Sequence, residues 1–251
     1  MKLKTNAFAL RARRVAHLAP GAGLLAAVAM ALMPQTMRAQ QTPPPPPQNW
    51  ILDNFATGAG KVASLTGEQT VTQTGTGIIG ESRYIILNTF LNPYMQPVQV
   101  QVRPSGNASD PSSLLSSVGF AASAEIYVVY GQTTPLNLNL TGYDRLRLNF
   151  GGLSSALSLN LEAEQGSGIA AQCAVNLGAN GGSNAVPVAF TVDFPLSAFS
   201  ANGGGPVDWS DILAFEIIFG GGPDLAITKF LAIPNGSTEA PATFTCLAST
   251  A

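Results

Sequence analysis

The sequence predicts an all-β protein built as a two-sheet antiparallel sandwich. Apolar residues alternate with polar residues in roughly ten short segments, and a period of two is typical of strands that bury one face. Clusters of Gly, Pro, Asn and Ser separate these segments, as turns separate the strands of a sandwich. We find no repeat of fixed period, which argues against a solenoid.

Residues 1–39 have the layout of a secretory signal peptide. Lys and Arg residues come first, an apolar run over residues 18–33 follows, and small and polar residues lead to Ala39. The run is shorter than the about 20 residues that a membrane-spanning helix needs, so an uncleaved anchor is the less favoured alternative. We therefore expect cleavage after Ala39, a secreted or periplasmic protein, and no membrane span in the mature chain.

A mature chain that begins at Gln40 would be acidic and would contain no histidine. His17, the one histidine, lies in the leader, as do six of the twelve Lys and Arg residues. Six cationic and fourteen acidic residues then remain, a formal net charge of −8. Without imidazole, the commonest metal ligand and usual general base is missing. Without a basic stripe, neither nucleic acid nor an anionic membrane surface is an expected partner.

The rest of the chain divides by composition into three parts. Residues 40–49 form a linker whose five consecutive prolines, at positions 43–47, favour an extended polyproline II conformation. Residues 50–234 are long enough for one domain with a sizeable core. Residues 235–251 are small and polar, and we expect a flexible C-terminal tail.

The strands of the sandwich are identified by apolar residues two positions apart. We interpret residues 151–156 as a hairpin connection, which would place the strands before and after it side by side in one sheet. Segments 112–116 and 195–200 are the two candidates for a helical turn. The alternation is present in residues 98–102, 136–140, 145–150, 157–164, 188–194 and 215–219, ahead of a final apolar run over 226–233.

The polar face of that hairpin is the candidate binding surface. If its leucines are buried, strand alternation places Arg145, Arg147, Asn160 and Glu162 together on the opposite face. Cross-strand Arg–Glu pairs are the structural expectation for such a face. The same side chains offer hydrogen-bond donors and acceptors suited to sugar hydroxyl groups.

Sugar recognition usually adds an exposed aromatic ring. Tyr94 lies in a polar loop and is the ring we expect to be exposed. Tyr127 and Tyr130 belong to an apolar run, so we expect both in the core. Trp209 leads into a strand and is expected to seal an end of the sandwich. Tyr84 is a further possible platform.

One pair of carboxylates supports an enzymatic alternative. Glu162 and Glu164 are two residues apart on one predicted strand and point to the same face. Two carboxyl groups suffice for glycoside hydrolysis, one as acid and one as base or nucleophile. Pairing with the neighbouring arginines is the structural explanation, and we favour it.

The two cysteines, Cys173 and Cys246, would be in a compartment that permits disulfides. A bridge between them would pin the tail to the sandwich, and two unpaired thiols are the alternative. Structural zinc is not expected, because two cysteines without histidine cannot fill a tetrahedral site.

Three segments carry a resemblance to a known family. Residues 50–55 (WILDNF), 140–148 (LTGYDRLRL) and 208–212 (DWSDI) resemble the galactose-binding-like jelly-roll domains, which occur in carbohydrate-binding modules and in many exported bacterial proteins. The resemblance implies a jelly-roll sandwich and a secreted, non-catalytic module that binds carbohydrate, an extracellular glycan or another cell-envelope component. A carboxylate-dependent glycoside hydrolase and an extracellular matrix or surface structural protein are the alternatives.

Jelly rolls of this kind often hold a structural calcium ion, and we expect no other cofactor. Four aspartates flank predicted strand ends, where carboxylates and carbonyls would coordinate such an ion. The possible ligands are Asp53, Asp208, Asp211 and Asp224.

Overall fold

The computed structural model describes residues 48–58, 60–105, 111–178, 188–202, 204–221 and 224–247. The expected signal peptide and the proline run at 43–47 lie outside these residues. Within them, no helix is long and apolar enough to cross a membrane.

Two β-sheets face each other across one apolar core, so the predicted all-β, two-sheet jelly-roll sandwich is confirmed. Two single turns of 3₁₀ helix, Ile79–Glu81 and Leu196–Ala198, interrupt the strands. The strands are β1 (Trp50–Asp53), β2 (Gly60–Ser64), β3 (Gly67–Thr74), β4 (Ser82–Leu91), β5 (Val98–Arg103), β6 (Ser113–Ser117), β7 (Ser123–Tyr130), β8 (Tyr143–Leu153), β9 (Leu157–Gln165), β10 (Ala170–Leu177), β11 (Phe190–Pro195), β12 (Ser200–Ala201), β13 (Ile212–Gly220), β14 (Leu225–Pro234) and β15 (Phe244–Thr245).

The eight-stranded sheet has the order β15-β11-β8-β14-β6-β5-β2, with β1 also paired to β14. The seven-stranded sheet has the order β12-β10-β9-β13-β7-β4-β3. Neighbouring strands are antiparallel except β11 and β15, which run parallel.

The core consists of the inward-facing residues of both sheets. Leu148 of β8, Leu159 of β9 and Phe215 of β13 are fully buried. Aromatic rings fill the space between the sheets, as shown by Phe215 and Phe230, whose rings meet edge to face at 5.7 Å. Alternation in the sequence therefore predicts correctly which residues of these strands are buried.

The predicted hairpin at residues 151–156 is wrong. β8 pairs with β11 and β14 in the eight-stranded sheet, whereas β9 pairs with β10 and β13 in the other sheet. The short link between β8 and β9 therefore crosses from one sheet to the other. Alternation does not distinguish the two arrangements, because strands of facing sheets bury their apolar residues in the same core.

Two local expectations also differ from the structure. Residues 112–116 contribute to strand β6 and not to a helical turn, whereas 195–200 contain the expected turn at Leu196–Ala198. Residues 136–140 bury their leucines but make only an isolated bridge, from Leu138 to Ile212.

The C-terminal segment is attached to the sandwich at several points, although we expected a flexible tail. β15 pairs with β11 at the edge of the eight-stranded sheet. Cys246 then forms a disulfide with Cys173 of β10, with 6.2 Å between the Cα atoms. Because β10 belongs to the seven-stranded sheet, this bond links the two sheets.

Candidate binding face

Arg145 and Arg147 lie on the outer face of the eight-stranded sheet and are bound by carboxylates. Arg147 donates hydrogen bonds to both oxygens of Asp193, at 2.6 and 2.9 Å, and to Glu239 at 2.8 Å. Arg145 Nε lies 3.0 Å from Asp193 Oδ2, and its Nη1 donates to Asp144 at 2.8 Å. These pairs hold the C-terminal segment against β8 and β11.

The four predicted binding residues therefore do not share one face. Asn160 and Glu162 belong to β9 and point outward from the seven-stranded sheet, on the opposite side of the sandwich from Arg145 and Arg147. The expected cross-strand pairs with the glutamates of β9 do not form, because the acidic partners of the two arginines are Asp193, Asp144 and Glu239.

The outer side of the seven-stranded sheet is rich in polar and aromatic side chains. It is identified by alternation, since the residues between them on each strand belong to the core. We call this surface the glutamate face. Its residues include Glu68, Thr70 and Thr72 of β3, Tyr84, Ile86 and Asn88 of β4, Glu125, Tyr127 and Val129 of β7, Glu216 and Ile218 of β13, Asn160, Glu162 and Glu164 of β9, and Gln172 and Ala174 of β10.

The strand register arranges the centre of this face in two adjacent rows. One row reads Tyr84, Val129, Glu216, Glu162 and Gln172 across five neighbouring strands. Residues directly opposite each other on neighbouring antiparallel strands have Cβ atoms about 4.5–5.5 Å apart. Two carboxylates, those of Glu216 and Glu162, are thus immediate neighbours.

The second row reads Ile86, Tyr127, Ile218, Asn160 and Ala174 across the same five strands. In this row, the ring of Tyr127 and the amide of Asn160 lie on either side of Ile218. We expected Tyr127 in the core, and this prediction is wrong. The apolar run around Tyr127 is apolar on both faces of β7, so it does not show which side is inward.

Hydrogen bonds fix several of these side chains. Asn160 Nδ2 donates to Glu162 Oε1 at 2.8 Å and to Gln172 Oε1 at 3.3 Å. The Tyr127 hydroxyl donates to Glu125 Oε2 at 2.5 Å. Asn160 Oδ1 is buried and accepts no hydrogen bond. A buried acceptor without a donor is unfavourable, and Asn149 Oδ1 of β8, in the eight-stranded sheet, is in the same state.

The glutamate face is strongly acidic, and burial raises the pKa of several of its acidic groups. Burial raises the pKa of Glu162 and of Glu164 above the ordinary glutamate value. Glu216 is only 4 % exposed although it points outward. Burial, the bond to Glu125 and the nearby Glu216 and Glu68 raise the pKa of Tyr127, so this phenol stays protonated.

The strands of the seven-stranded sheet hold one cationic side chain beside their carboxylates. All seven strands are among the described residues, and their one Lys or Arg is Arg83. Arg83 points into the core, where it is 1 % exposed and paired with Asp53.

Tyr94 is exposed, at 61 %, in the loop between β4 and β5. Its ring lies 5.6 Å from that of Phe120, which is 74 % exposed. Asn92 holds this loop by donating to the carbonyl oxygens of Leu65 and Gln96. Tyr94 lies at one end of the sandwich, beside the ends of the strands that carry Tyr84 and Tyr127, and its part in binding stays a prediction.

The four aspartates suggested as calcium ligands do not form one site. Asp53 is occupied by Arg83, and Asp208 and Asp224 accept hydrogen bonds from the backbone N–H groups of Ser210 and Val118. Over the part of the chain that the structure describes, no group of three or more His, Cys, Asp or Glu side chains could hold a metal ion.

The opposite end of the sandwich carries a shallow depression. Trp209 is partly buried there and meets Phe199 edge to face, with ring centroids 4.9 Å apart. Tyr143 lines the same depression and packs against Trp50 at 6.0 Å. Both tryptophans therefore cover this end of the core.

No protein-family model and no curated protein matches the chain. Among solved structures, it is similar to a family 11 carbohydrate-binding module from Clostridium thermocellum in complex with a β-1,3-1,4-mixed-linked tetrasaccharide, at 12 % identity and a TM-score of 0.40, over 76 % of this chain and 98 % of that one. It is also similar to the family 11 module of the cellulase Lic26A-Cel5E from the same organism, at 8 % identity and a TM-score of 0.38, over 74 % and 95 %. The agarase AgWH50C matches at 9 % identity and a TM-score of 0.38, over 56 % of this chain and 22 % of its own. At these values the similarity does not bear on the ligand of this chain.

Proposed function

We propose that this protein is an exported, non-catalytic module that binds carbohydrate through the glutamate face. The proposal is based on the two adjacent rows of side chains described above. In these rows, the register of five strands brings two tyrosines, two amides and two carboxylates close together. The buried acceptor Asn160 Oδ1, which has no donor, lies within the second row.

The chemistry of these rows suits a sugar. A pyranose ring presents C–H groups on its faces and hydroxyl groups at its edges. Tyr84 and Tyr127 are half-buried and supply flat apolar surfaces with a polar end. Glu162 accepts hydrogen bonds, and the amides of Asn160 and Gln172 both donate and accept them.

The length of the rows suits an oligosaccharide better than a single sugar. Five strands spaced about 4.8 Å apart extend over about 19 Å. A ligand lying across the strands would contact Tyr84 or Tyr127 toward one end of its site and Asn160 or Gln172 toward the other.

The alternative of a glycoside hydrolase has one specific observation in its favour. Glu162 and Glu216 are opposite each other on neighbouring strands, and paired carboxylates at short separation are the machinery of retaining glycosidases. Glu164, the partner suggested by the sequence, is opposite Ala214 and lies one row away. An open sheet face does not exclude water as an enzyme site does, so we favour binding without turnover. A matrix or surface structural protein is the other alternative and predicts no glycan ligand.

A glycan array with the purified protein tests the proposal, in calcium and in chelator. We expect binding in both conditions, because no described carboxylate cluster could hold a metal ion. Asn160→Ala should abolish the array signal. The matched control is Asn149→Ala, on β8 of the opposite sheet, which should bind like the unaltered protein.

Absence of every glycan signal would contradict the proposal, as would equal loss in the Asn160 and Asn149 variants. Release of reducing sugar that disappears in Glu162→Gln or Glu216→Gln would show that the protein is a hydrolase.

A further inference from the structure

We propose that β3 is a docking edge for a second copy of this chain, and that two molecules pair their β3 strands antiparallel about a two-fold axis at Val71. The seven-stranded sheets of the two copies then join into one continuous sheet. Such pairing is independent of carbohydrate binding. It is indicated by the length of β3, by the direction of its backbone groups and by the symmetry of its sequence.

The two sheets end in four strands of unequal length. β12 and β15 contain two residues each, and β2 contains five, among them the exposed Lys61. Short edge strands and edge lysines hinder a sheet from pairing with another chain. β3 contains eight residues, none of them lysine, arginine or proline, and its pairing with β4 has no bulge. Of these four strands, β3 is therefore the least protected against pairing.

Every second residue of β3 directs its backbone N–H and C=O groups away from β4. Gly75 N–H donates to the carbonyl oxygen of Glu81 at 3.0 Å, in the register of the β3–β4 pair. Hydrogen-bonded pairs alternate along antiparallel strands, so the odd-numbered residues of β3 bond to β4. The backbone groups of Thr70, Thr72 and Thr74 thus point to the open edge, and all three residues are exposed. No described strand pairs with β3 on that side.

The sequence of β3 reads the same in both directions about its centre. Residues 69–73 are Gln-Thr-Val-Thr-Gln. Antiparallel pairing centred on Val71 places Thr70 of one copy opposite Thr72 of the partner subunit, and Thr72 opposite the partner's Thr70. Threonines directly opposite each other stabilise a sheet. The backbone groups also match in this register, because both threonines present them at the open edge.

The charges of β3 permit this pairing. Glu68 is the one charged residue of the strand, and the register centred on Val71 places it opposite Thr74 of the partner subunit. Like charges directly opposite each other destabilise a sheet, and this register keeps the two Glu68 carboxylates apart. An extended peptide of another protein would not share the symmetry of the edge. The sequence of β3 therefore favours a second copy as the occupant.

Pairing at β3 brings two glutamate faces to the same side of one sheet. Thr72 is opposite Tyr84 of β4, and Thr70 is opposite Ile86. The row that begins at Tyr84 in one copy then continues through Thr72 and the partner's Thr70 into the row that begins at the partner's Ile86. The dimer thus presents one polar surface that extends over both copies, and a long ligand can contact both.

Sedimentation equilibrium of the purified protein tests the proposal over a series from about 1 µM to about 1 mM, which brackets weak and moderate affinities. We expect the weight-average mass to rise toward twice that of one chain. Amide exchange measured by NMR should slow at least tenfold for Thr70 and Thr72 at the high concentration, because their N–H groups become bonded. The amide of Val71 already bonds to β4 and should change much less.

Two double variants test the register. Thr70→Lys with Thr72→Lys places ammonium groups opposite each other across the joint, and the dissociation constant of the dimer should rise at least tenfold. Thr70→Lys with Thr72→Glu is the matched control. It replaces the same two exposed residues but places each ammonium opposite a carboxylate, so it should dimerise at least as tightly as the unaltered protein. Circular dichroism should show the same strand content in both variants.

The mass of a single chain throughout the series would overturn the proposal. An equal loss of pairing in both double variants would also overturn it, because Thr70 and Thr72 would then not be opposite each other. A dimer that is unchanged in the variant with two lysines would show that the copies meet at another surface. Glycan binding by a protein that stays monomeric would leave the proposed function intact and reject only the docking edge.

Discussion

Arg83 and Asp53 form an ion pair in the interior of the sandwich, with Nη1 2.5 Å from Oδ2 and both side chains fully buried. Arg83 Nε also donates to Gln73 Oε1 at 2.6 Å, and its Nη2 donates to the carbonyl oxygen of Thr57 at 2.6 Å. The hydroxyl of Tyr130 donates to Asp53 Oδ2 at 2.9 Å. The pair thus ties the end of β1, which is paired in the eight-stranded sheet, to β4 and β7 of the other sheet.

Removal of one member of this pair should destabilise the protein strongly. Arg83→Met leaves the Asp53 carboxylate buried without a cation, and we expect the free energy of unfolding to fall by about 3–5 kcal/mol. Urea denaturation followed by circular dichroism measures the change. The double variant Arg83→Met with Asp53→Leu should recover a large part of the loss, because no buried charge remains. A single variant as stable as the unaltered protein would show that the pair carries little of the fold.

The fold was predictable from the sequence because burial follows a period of two. Leu148, Leu159 and Phe215 all lie on the inner faces that alternation assigns to them. Which sheet receives a strand is a different property, set by pairing between residues far apart in the sequence. The link after β8 illustrates this, since it crosses between the sheets where a hairpin was predicted.

The candidate face was predictable only in part for the same reason. Alternation along β9 correctly places Asn160 and Glu162 outward. The neighbour of Glu162 is Glu216, which is more than fifty positions later in the chain and was not singled out. Alternation of Phe215, Ile217 and Phe219 does mark Glu216 as outward, but only the register of β9 and β13 brings the two carboxylates together.

Arg147 should control attachment of the C-terminal segment. Arg147→Ala removes the bonds to Asp193, Glu239 and the carbonyl oxygen of Ala240. We expect faster hydrogen exchange and faster proteolysis in residues 235–247, with unchanged binding at the glutamate face on the other side of the sandwich. Arg103→Ala, on β5 of the same sheet, is the control and should leave the segment protected. Loss of glycan affinity in Arg147→Ala would instead indicate that the binding site lies on the eight-stranded sheet.

The Cys173–Cys246 bond should be detected by mass spectrometry as two alkylated thiols that appear only after reduction. The cysteines are 73 residues apart, and closing a loop of that length stabilises a fold by about 4 kcal/mol in the chain-entropy treatment. Cys173→Ser with Cys246→Ser should therefore lower the urea midpoint. Alkylation of both thiols without a reductant would show that the protein lacks the bond.

Export is tested by sequencing the amino terminus of the protein recovered outside the cytoplasm. We expect the sequence to begin near Gln40, directly after the small residue Ala39. Intact Met1 recovered from a membrane fraction would instead indicate an uncleaved anchor.

The buried carboxyl of Glu162 should make stability depend on pH in a defined direction. Burial raises its pKa, so the folded protein holds this proton more tightly than the unfolded chain. Because its pKa is raised on folding, Glu162 contributes to the free energy of unfolding at pH values below the unfolded pKa of about 4.3. This contribution is lost as pH rises through the pKa of the folded protein. Glu164 is shifted in the same direction by the same cause and adds to the effect.

Glu162→Gln removes this titration and keeps the acceptor oxygen that Asn160 Nδ2 uses. We therefore expect the variant to gain stability relative to the unaltered protein between about pH 4 and pH 7, as measured by urea unfolding at each pH. The exposed control Glu81→Gln should show no such gain. If the profiles of Glu162→Gln and the unaltered protein are parallel over this range, Glu162 is as well solvated in the fold as in the unfolded chain. The crowding of carboxylates that we describe for the glutamate face would then be wrong.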